Sequence, residues 1–237
     1  GNAFGLKMDR LRAILDLIDK YFPDCQMINM DATVTSIRLK SDEELQELYD
    51  RKVRHLYLGI ESGLDDVLKF MRKEHTQDQA YKEIARIQRV GLIFDAHVMS
   101  GVAGKGRGQE NAIALAEFLN KTQPDRIVNF SLFLHNQVAL YEDIKSGAFI
   151  PADEVENMEE ERTLIELLKE GPDGHQMLYD GFNDFLELRV KGKVPKDAPR
   201  MIKKLTEAIE KYKDEPPIYA YVRGDCPDLS MCDGGRW

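Results

Sequence analysis

Four short apolar segments, each separated from the next by a helical pattern, constrain this 237-residue chain more than any other feature. They begin near residues 26, 55, 93 and 127 and read as strands over 25–34, 55–60, 92–101 and 127–134. Turn residues bound them, including Pro23-Asp24, Gly91 and Pro124-Asp125. Between them lie amphipathic stretches. Leu11, Ile14, Leu15 and Ile18 repeat at helical spacing, Ser41 precedes three acids as an N-cap does, and Ala112, Leu115, Ala116 and Leu119 share one face. Strand–helix–strand alternation specifies parallel strands joined by right-handed crossovers. The expected fold class is therefore α/β, a parallel β/α sheet either open or curled toward a barrel.

The pattern changes after about residue 135. Helices are expected over 153–170, 176–190 and 197–213, followed by a tail that begins at Glu215-Pro216-Pro217. The chain thus divides into a β/α part, 1–150, and a helical extension with its tail, 151–237. The acid-rich run 153–161 reads as a solvated helix face.

With 33 Lys+Arg against 42 Asp+Glu the net charge is −9, which argues against a broad basic surface for nucleic acid. No apolar run approaches the roughly 18 residues that a membrane-spanning helix needs. Three scattered cysteines, Cys25, Cys226 and Cys232, imply no disulfide framework and point to a reducing, cytoplasmic setting. Cys25 reads as a buried apolar residue, and Cys226-x5-Cys232 lacks metal-ligand spacing, so no metal ligands are assigned. The opening Gly1-Asn2-Ala3-Phe4-Gly5 has no initiating Met and no signal-peptide pattern, and reads as a loop within a longer protein.

Ligands of parallel α/β folds bind at the carboxyl ends of the strands. The residues there are Asp31, Glu61-Ser62-Gly63, His97 through Gly108, and His135-Asn136. Glu61 can either cap the following helix or contact a ligand. Gly101 to Gly108 carries four glycines and two cations before a helix, which suits a close-approaching anion or a plain turn. It is not a Walker loop, since Lys105 is followed by Gly106. His97 can be a satisfied core histidine or a ligand contact. No nucleophile–base set is legible, and the catalytic residues are unassigned.

Residues 55–76, which contain Gly59-Ile60-Glu61-Ser62-Gly63, resemble a segment of the radical S-adenosylmethionine (SAM) proteins. The resemblance is nearest to the branch with the methylthiotransferases, the Elongator-like enzymes and the oxygen-independent coproporphyrinogen oxidase-like enzymes. It extends through the strand ending at Ser100-Gly101 and through Lys145 to Phe149, covering about residues 1–168. It implies a partial TIM-like barrel lacking its first strands. Gly1 and Asn2 would meet the SAM amino group, Asp31 and His97 the ribose, and Glu61 and Ser62 would lie beside SAM. Lys73 would pair with the SAM carboxylate as a point charge in place of the usual Arg fork. Gly101 would belong to the turn after the fifth barrel strand, and 132–135 would lie near adenine.

The family's Cys-x3-Cys-x2-Cys, which holds a [4Fe–4S] cluster, does not occur in the chain. The resemblance therefore implies SAM and a [4Fe–4S] cluster as cofactors of a parent protein, with the cluster not bindable by these residues. In that parent, reductive cleavage of SAM yields a 5′-deoxyadenosyl radical that abstracts hydrogen from a substrate. An electron donor and an unknown substrate are the implied partners, and the chain alone is expected to be inactive. The alternatives are a non-catalytic α/β interaction module and a phosphate-ligand enzyme using loop 101–108.

Overall fold

In the structure, a computed structural model that describes residues 2–221, six strands form one sheet whose spatial order equals their order in the chain. β1 (Ile28–Ala32), β2 (Val53–Glu61), β3 (Ile93–Ser100), β4 (Arg126–Ser131) and β5 (Met177–Asn183) run parallel. β6 (Leu188–Val194) closes the edge antiparallel to β5. A sequential order has no topological switch point. Every right-handed crossover therefore places its helix on the same side of the sheet, the winding of a barrel rather than of a doubly wound sheet.

The helices follow from local signals. α1 (Met8–Tyr21) buries Leu11 and Leu15. The short α2 (Val34–Arg38) starts at a capping box of Thr33 and Ser36, and α3 (Asp42–Asp50) at one of Ser41 and Glu44. After β2 come α4 (Asp65–Phe70) and α5 (Gln77–Arg89), the latter capped by Thr76 with Gln79. α6 (Gly108–Thr122) fills the β3–β4 crossover. α7 (Leu140–Ser146) and α8 (Glu154–Leu167) lie between β4 and β5, and α9 (Ala198–Tyr212) follows β6. Leu56, Leu58, Phe94, Ala96, Ile127, Met177 and Tyr179 of the sheet join Leu115, Leu119, Ile165 and Leu205 of the helices in one apolar cluster. Among the described residues no helix is long and apolar enough to cross a membrane.

Residues 177–194 correct an expectation. A helix over 176–190 is expected from the sequence, as part of a helical extension, but these residues form the β5–β6 hairpin that extends the sheet. Two interactions override the local pattern. Asp180 lies on β5 directly opposite Lys191 and pairs with both Arg189 and Lys191 across the hairpin. Gly181 provides space for Glu161 of α8, whose Oε1 would collide with a Cβ at position 181. Cys25 is half-buried rather than buried.

Candidate functional site

Because the helices occupy one side of the sheet, alternate strand residues face the other side, where burial is partial. Across that face runs a row of rings. Tyr57 and His97 are 5.5 Å apart, His97 and Phe130 5.9 Å, and Phe130 and Phe182 5.7 Å, with the Arg189 guanidinium 4.5 Å above Phe182. Asp31 is exposed on the same face, in register with Tyr57. The face thus offers π surfaces flanked by a carboxylate, a combination suited to a flat heterocycle carrying hydroxyl or cationic groups.

At the carboxyl end of β2 the backbone is irregular. The register shifts between Gly59 and Glu61, and Glu61 adopts φ +64°, a left-handed conformation unusual for a side chain of this kind. Gly59 has no Cβ, and the Glu61 carboxylate folds back into that space. There Oε1 accepts a hydrogen bond from Lys73 Nζ at 2.6 Å. Glu61 caps nothing: Leu64 is the N-cap of α4 and has no side-chain cap hydrogen bond. His75 lies nearby, 8% exposed, with Nε2 lacking a hydrogen-bond partner among the described residues, and burial and then Lys73 push its imidazole below the ordinary range. Sequence reasoning missed His75; its place in the quoted 55–76 stretch was the available signal.

The remaining expected residues divide. Asn2 comes to the end of β1, where Nδ2 donates to Thr33 Oγ1 at 3.4 Å and Oδ1 accepts from Gly5 N at 3.0 Å. Ser62 is fully buried, and its hydroxyl donates to Asn111 Oδ1 at 2.6 Å and accepts from Leu64 N at 3.1 Å, so it shapes the turn from behind. Gly101 has φ +79°, donates its N–H to Glu160 Oε2 at 2.9 Å, and leaves room for Asn157. Gly1 lies outside the described residues, as do Cys226 and Cys232.

The acidic run 153–161 departs most from expectation. Glu154, Glu160 and Glu161 are buried to 1–2% exposure rather than solvated. Burial pushes each carboxyl up to about 7 against the hydrogen bonds that oppose the shift. Each engages a different part of the sheet's carboxyl edge. Ser131 Oγ donates to Glu154 Oε2 at 3.1 Å. Gly101 N, just after β3, donates to Glu160 Oε2 at 2.9 Å, and Asn111 Nδ2 of α6 donates to its Oε1 at 2.7 Å. Glu161 accepts from Tyr179 Oη at 3.0 Å and from Asn183 Nδ2 at 2.7 Å, and Asn129 Nδ2 reaches both Tyr179 Oη and Ser100 Oγ. α8 is thus a polar strap behind the ends of β3, β4 and β5. The same strap occupies loop 101–108. The Gly106 amide meets Glu156, and Arg107 pairs with Asp66 and Glu110, so these donors of the loop are matched by the chain's own carboxylates.

Two further features lie elsewhere. At the opposite, amino edge of the strands, donor atoms of His55, Asp95 and Asp125 lie within 4.8 Å of one another. A shallow depression of about 530 Å³ is lined by Asp42, Glu43, Glu47 and Arg51. Its Asp42 and Glu47 already pair with Arg86 and Arg12, and it is remote from the strand ends.

No family model matches the chain. It is 31% identical over 101 residues to the tRNA-2-methylthio-N(6)-dimethylallyladenosine synthase of Acinetobacter baumannii, covering 40% of this chain and 20% of that protein. It is 24% identical over 120 residues to the tRNA uridine(34) acetyltransferase of Methanocaldococcus infernus, covering 50% and 22%. The chain therefore spans about a fifth of the length of these curated relatives. In fold it is similar to archaeal Elp3 of Methanocaldococcus infernus with an N-terminal deletion, at TM-score 0.63 and 15% identity, covering 90% of this chain and 53% of that one. It is also similar to methylornithine synthase (PylB), at TM-score 0.50 and 13% identity, covering 86% and 62%. Over part of its length the chain is thus similar in sequence to a tRNA methylthiotransferase and a tRNA uridine(34) acetyltransferase, and over most of its length it shares the fold of Elp3 and PylB.

Proposed function

We propose that this chain supplies the SAM-orienting wall of a radical SAM domain. The supporting observation is the juxtaposition of Glu61, in a strained conformation beside Lys73, with the ring row around His97 on the uncovered sheet face. These residues fit SAM. Asp31 and Glu61 can accept from ribose hydroxyls or the α-ammonium group, and the rings offer π surface to adenine and to the sulfonium charge. Lys73 can exchange Glu61 for the SAM carboxylate, and Asn2 adds a polar group at the end of β1. The chain's own residues would bind and orient SAM rather than transfer protons.

The residues present do not fit a [4Fe–4S] cluster. Cys25 is the one cysteine among the described residues, and no Cys-x3-Cys-x2-Cys occurs in the sequence. Reductive SAM cleavage is accordingly assigned to a cluster-bearing parent, with an electron donor and a substrate as its partners in a cytoplasmic setting, and the isolated chain would bind without turnover. The phosphate-enzyme alternative is disfavoured because the Gly101 and Gly106 amides and the Arg107 guanidinium of loop 101–108 already meet Glu160, Glu156, Asp66 and Glu110.

Calorimetric titration of the chain with SAM tests this reading. One saturable site is expected, weakened in Asp31→Ala and Glu61→Gln, with no methionine released under dithionite. No SAM binding, or equal binding by both variants, would overturn it.

A further inference from the structure

We propose that His55, Asp95 and Asp125 bind one divalent first-row transition-metal ion at the amino edge of the sheet. The site is independent of the proposed SAM site: Glu61 is six residues along β2 from His55, about 20 Å at the rise of a strand.

The residues come from three neighbouring places in the fold. His55 is near the start of β2, Asp95 near the start of β3, and Asp125 immediately precedes β4. The backbone of Asp125 is held on both sides, its N–H donating to Phe94 O at 2.9 Å and its carbonyl accepting from Leu178 N at 2.9 Å. The scaffold is therefore ordered before any ion arrives, which lowers the cost of binding. Ligand atoms around an ion at roughly 2.0–2.2 Å are at most about 4.4 Å apart. Atoms that all lie within 4.8 Å of one another need at most a contraction of a few tenths of an ångström.

A second observation points to a ligand. Asp95 is 1% exposed, and its carboxylate is directed into the cluster, with Oδ2 2.7 Å from His55 Nδ1. Its other oxygen, Oδ1, is buried and has no hydrogen-bond partner among the described residues. A carboxylate oxygen left in that state is costly unless something charged or hydrogen-bonding meets it. With His55 as a neutral ligand, the charges around it are those of Asp125, which repels, and of Arg126, which attracts. Arg126 offsets only one of the two carboxylates, so a dication is accommodated. One imidazole with two carboxylates and no thiolate suits zinc, cobalt, iron or manganese rather than a soft ion or a calcium cage. Asp125 is exposed and gives the ion a way in from solvent.

The probe is Co²⁺, added to the chelator-treated full chain and followed by equilibrium dialysis and visible absorption. One equivalent is expected, with d–d bands and without the thiolate charge-transfer absorption that the three cysteines would produce. Asp125→Asn, Asp95→Asn and His55→Phe should each weaken binding at least about tenfold, the scale on which metal-site residues act. Glu61→Gln should leave it unchanged, which separates this site from the SAM reading. Melting without cobalt shows which variants fold, and Asp125→Asn, at an exposed position, decides if the buried variants do not. No bound cobalt, thiolate charge-transfer bands, or wild-type affinity in Asp125→Asn would overturn the proposal.

Discussion

Asn111 Nδ2 donates to Glu160 Oε1 at 2.7 Å, and the same amide's Oδ1 accepts from Ser62 Oγ at 2.6 Å and Gly63 N at 3.1 Å. One side chain on α6 thus links the strap helix α8 to the turn that carries Glu61. Asn111→Ala leaves those partners buried and unmatched, at about 1–3 kcal/mol for such a group. The expected destabilisation is about 2–4 kcal/mol, read as a lower urea midpoint, together with weaker SAM binding because the turn loosens. An unchanged midpoint would show that the link carries no stability.

The three buried glutamates of α8, Glu154, Glu160 and Glu161, make stability depend on pH in an uncommon direction. Below the ordinary carboxyl value near 4.5 both folded and unfolded chains are protonated at these positions. Between there and about 7 the folded chain retains protons that the unfolded chain has released. Stability therefore falls as pH rises through that window and levels off above it. Two to three units at about 1.4 kcal/mol each put the scale at about 3 kcal/mol per group. Asp19, Asp66 and Asp180 are held below the ordinary range by Lys52, Arg107 and Arg189, and they oppose unfolding only above their own low values. Melting temperature should peak at mildly acidic pH and drop toward pH 8, and Glu161→Gln should flatten the drop. A rising or flat profile from pH 5 to 8 would refute this.

Gly181→Ala should be among the most damaging single-methyl changes in the sheet. Its Cβ would enter the position of Glu161 Oε1, forcing a carboxylate out of its hydrogen bonds to Tyr179 and Asn183. Overpacking of this kind costs about 1–3 kcal/mol. Combining it with Glu161→Ala should cost less than the sum of the two, since each relieves the conflict the other creates. Strict additivity in denaturant melts would contradict the contact.

Glu61→Gly should separate stability from binding. It removes the strain of φ +64° on a long side chain and the half-exposed ion pair with Lys73, two terms of opposite sign and about 1 kcal/mol each. Net stability should change by less than about 1 kcal/mol, while SAM affinity falls at least about tenfold, roughly one lost charge-assisted hydrogen bond. Tight SAM binding by this variant would remove Glu61 from the proposed site.

The strands β1 to β4 were legible because each is a short apolar run between turn residues, and their parallel order followed from the helices between them. β5 was not. Its Asp180, Gly181 and Asn183 look wrong for a buried strand until Arg189 and Glu161 are placed against them, and those partners are 9 and about 20 residues away. The acid-rich α8 was misread for the same reason: Glu154, Glu160 and Glu161 are paid for by amides and hydroxyls on other elements. Ser62 was correctly placed at a strand end, but which way its hydroxyl points depends on Asn111. His55, Asp95 and Asp125 share no sequence spacing, because register across neighbouring strands alone brings them together.

The reversed final strand has a directional consequence. β6 runs against β5, and its Arg189, Lys191 and Lys193, two of them balanced by Asp180, give the edge strand a cationic character that discourages a further strand from adding beyond it. β1 is five residues long, parallel to β2, and among the described residues hydrogen-bonded to that one strand. The sheet is therefore polar as a building surface: a strand that extends the parallel series can be received at β1, and the cationic rim at the other end acts as its stop.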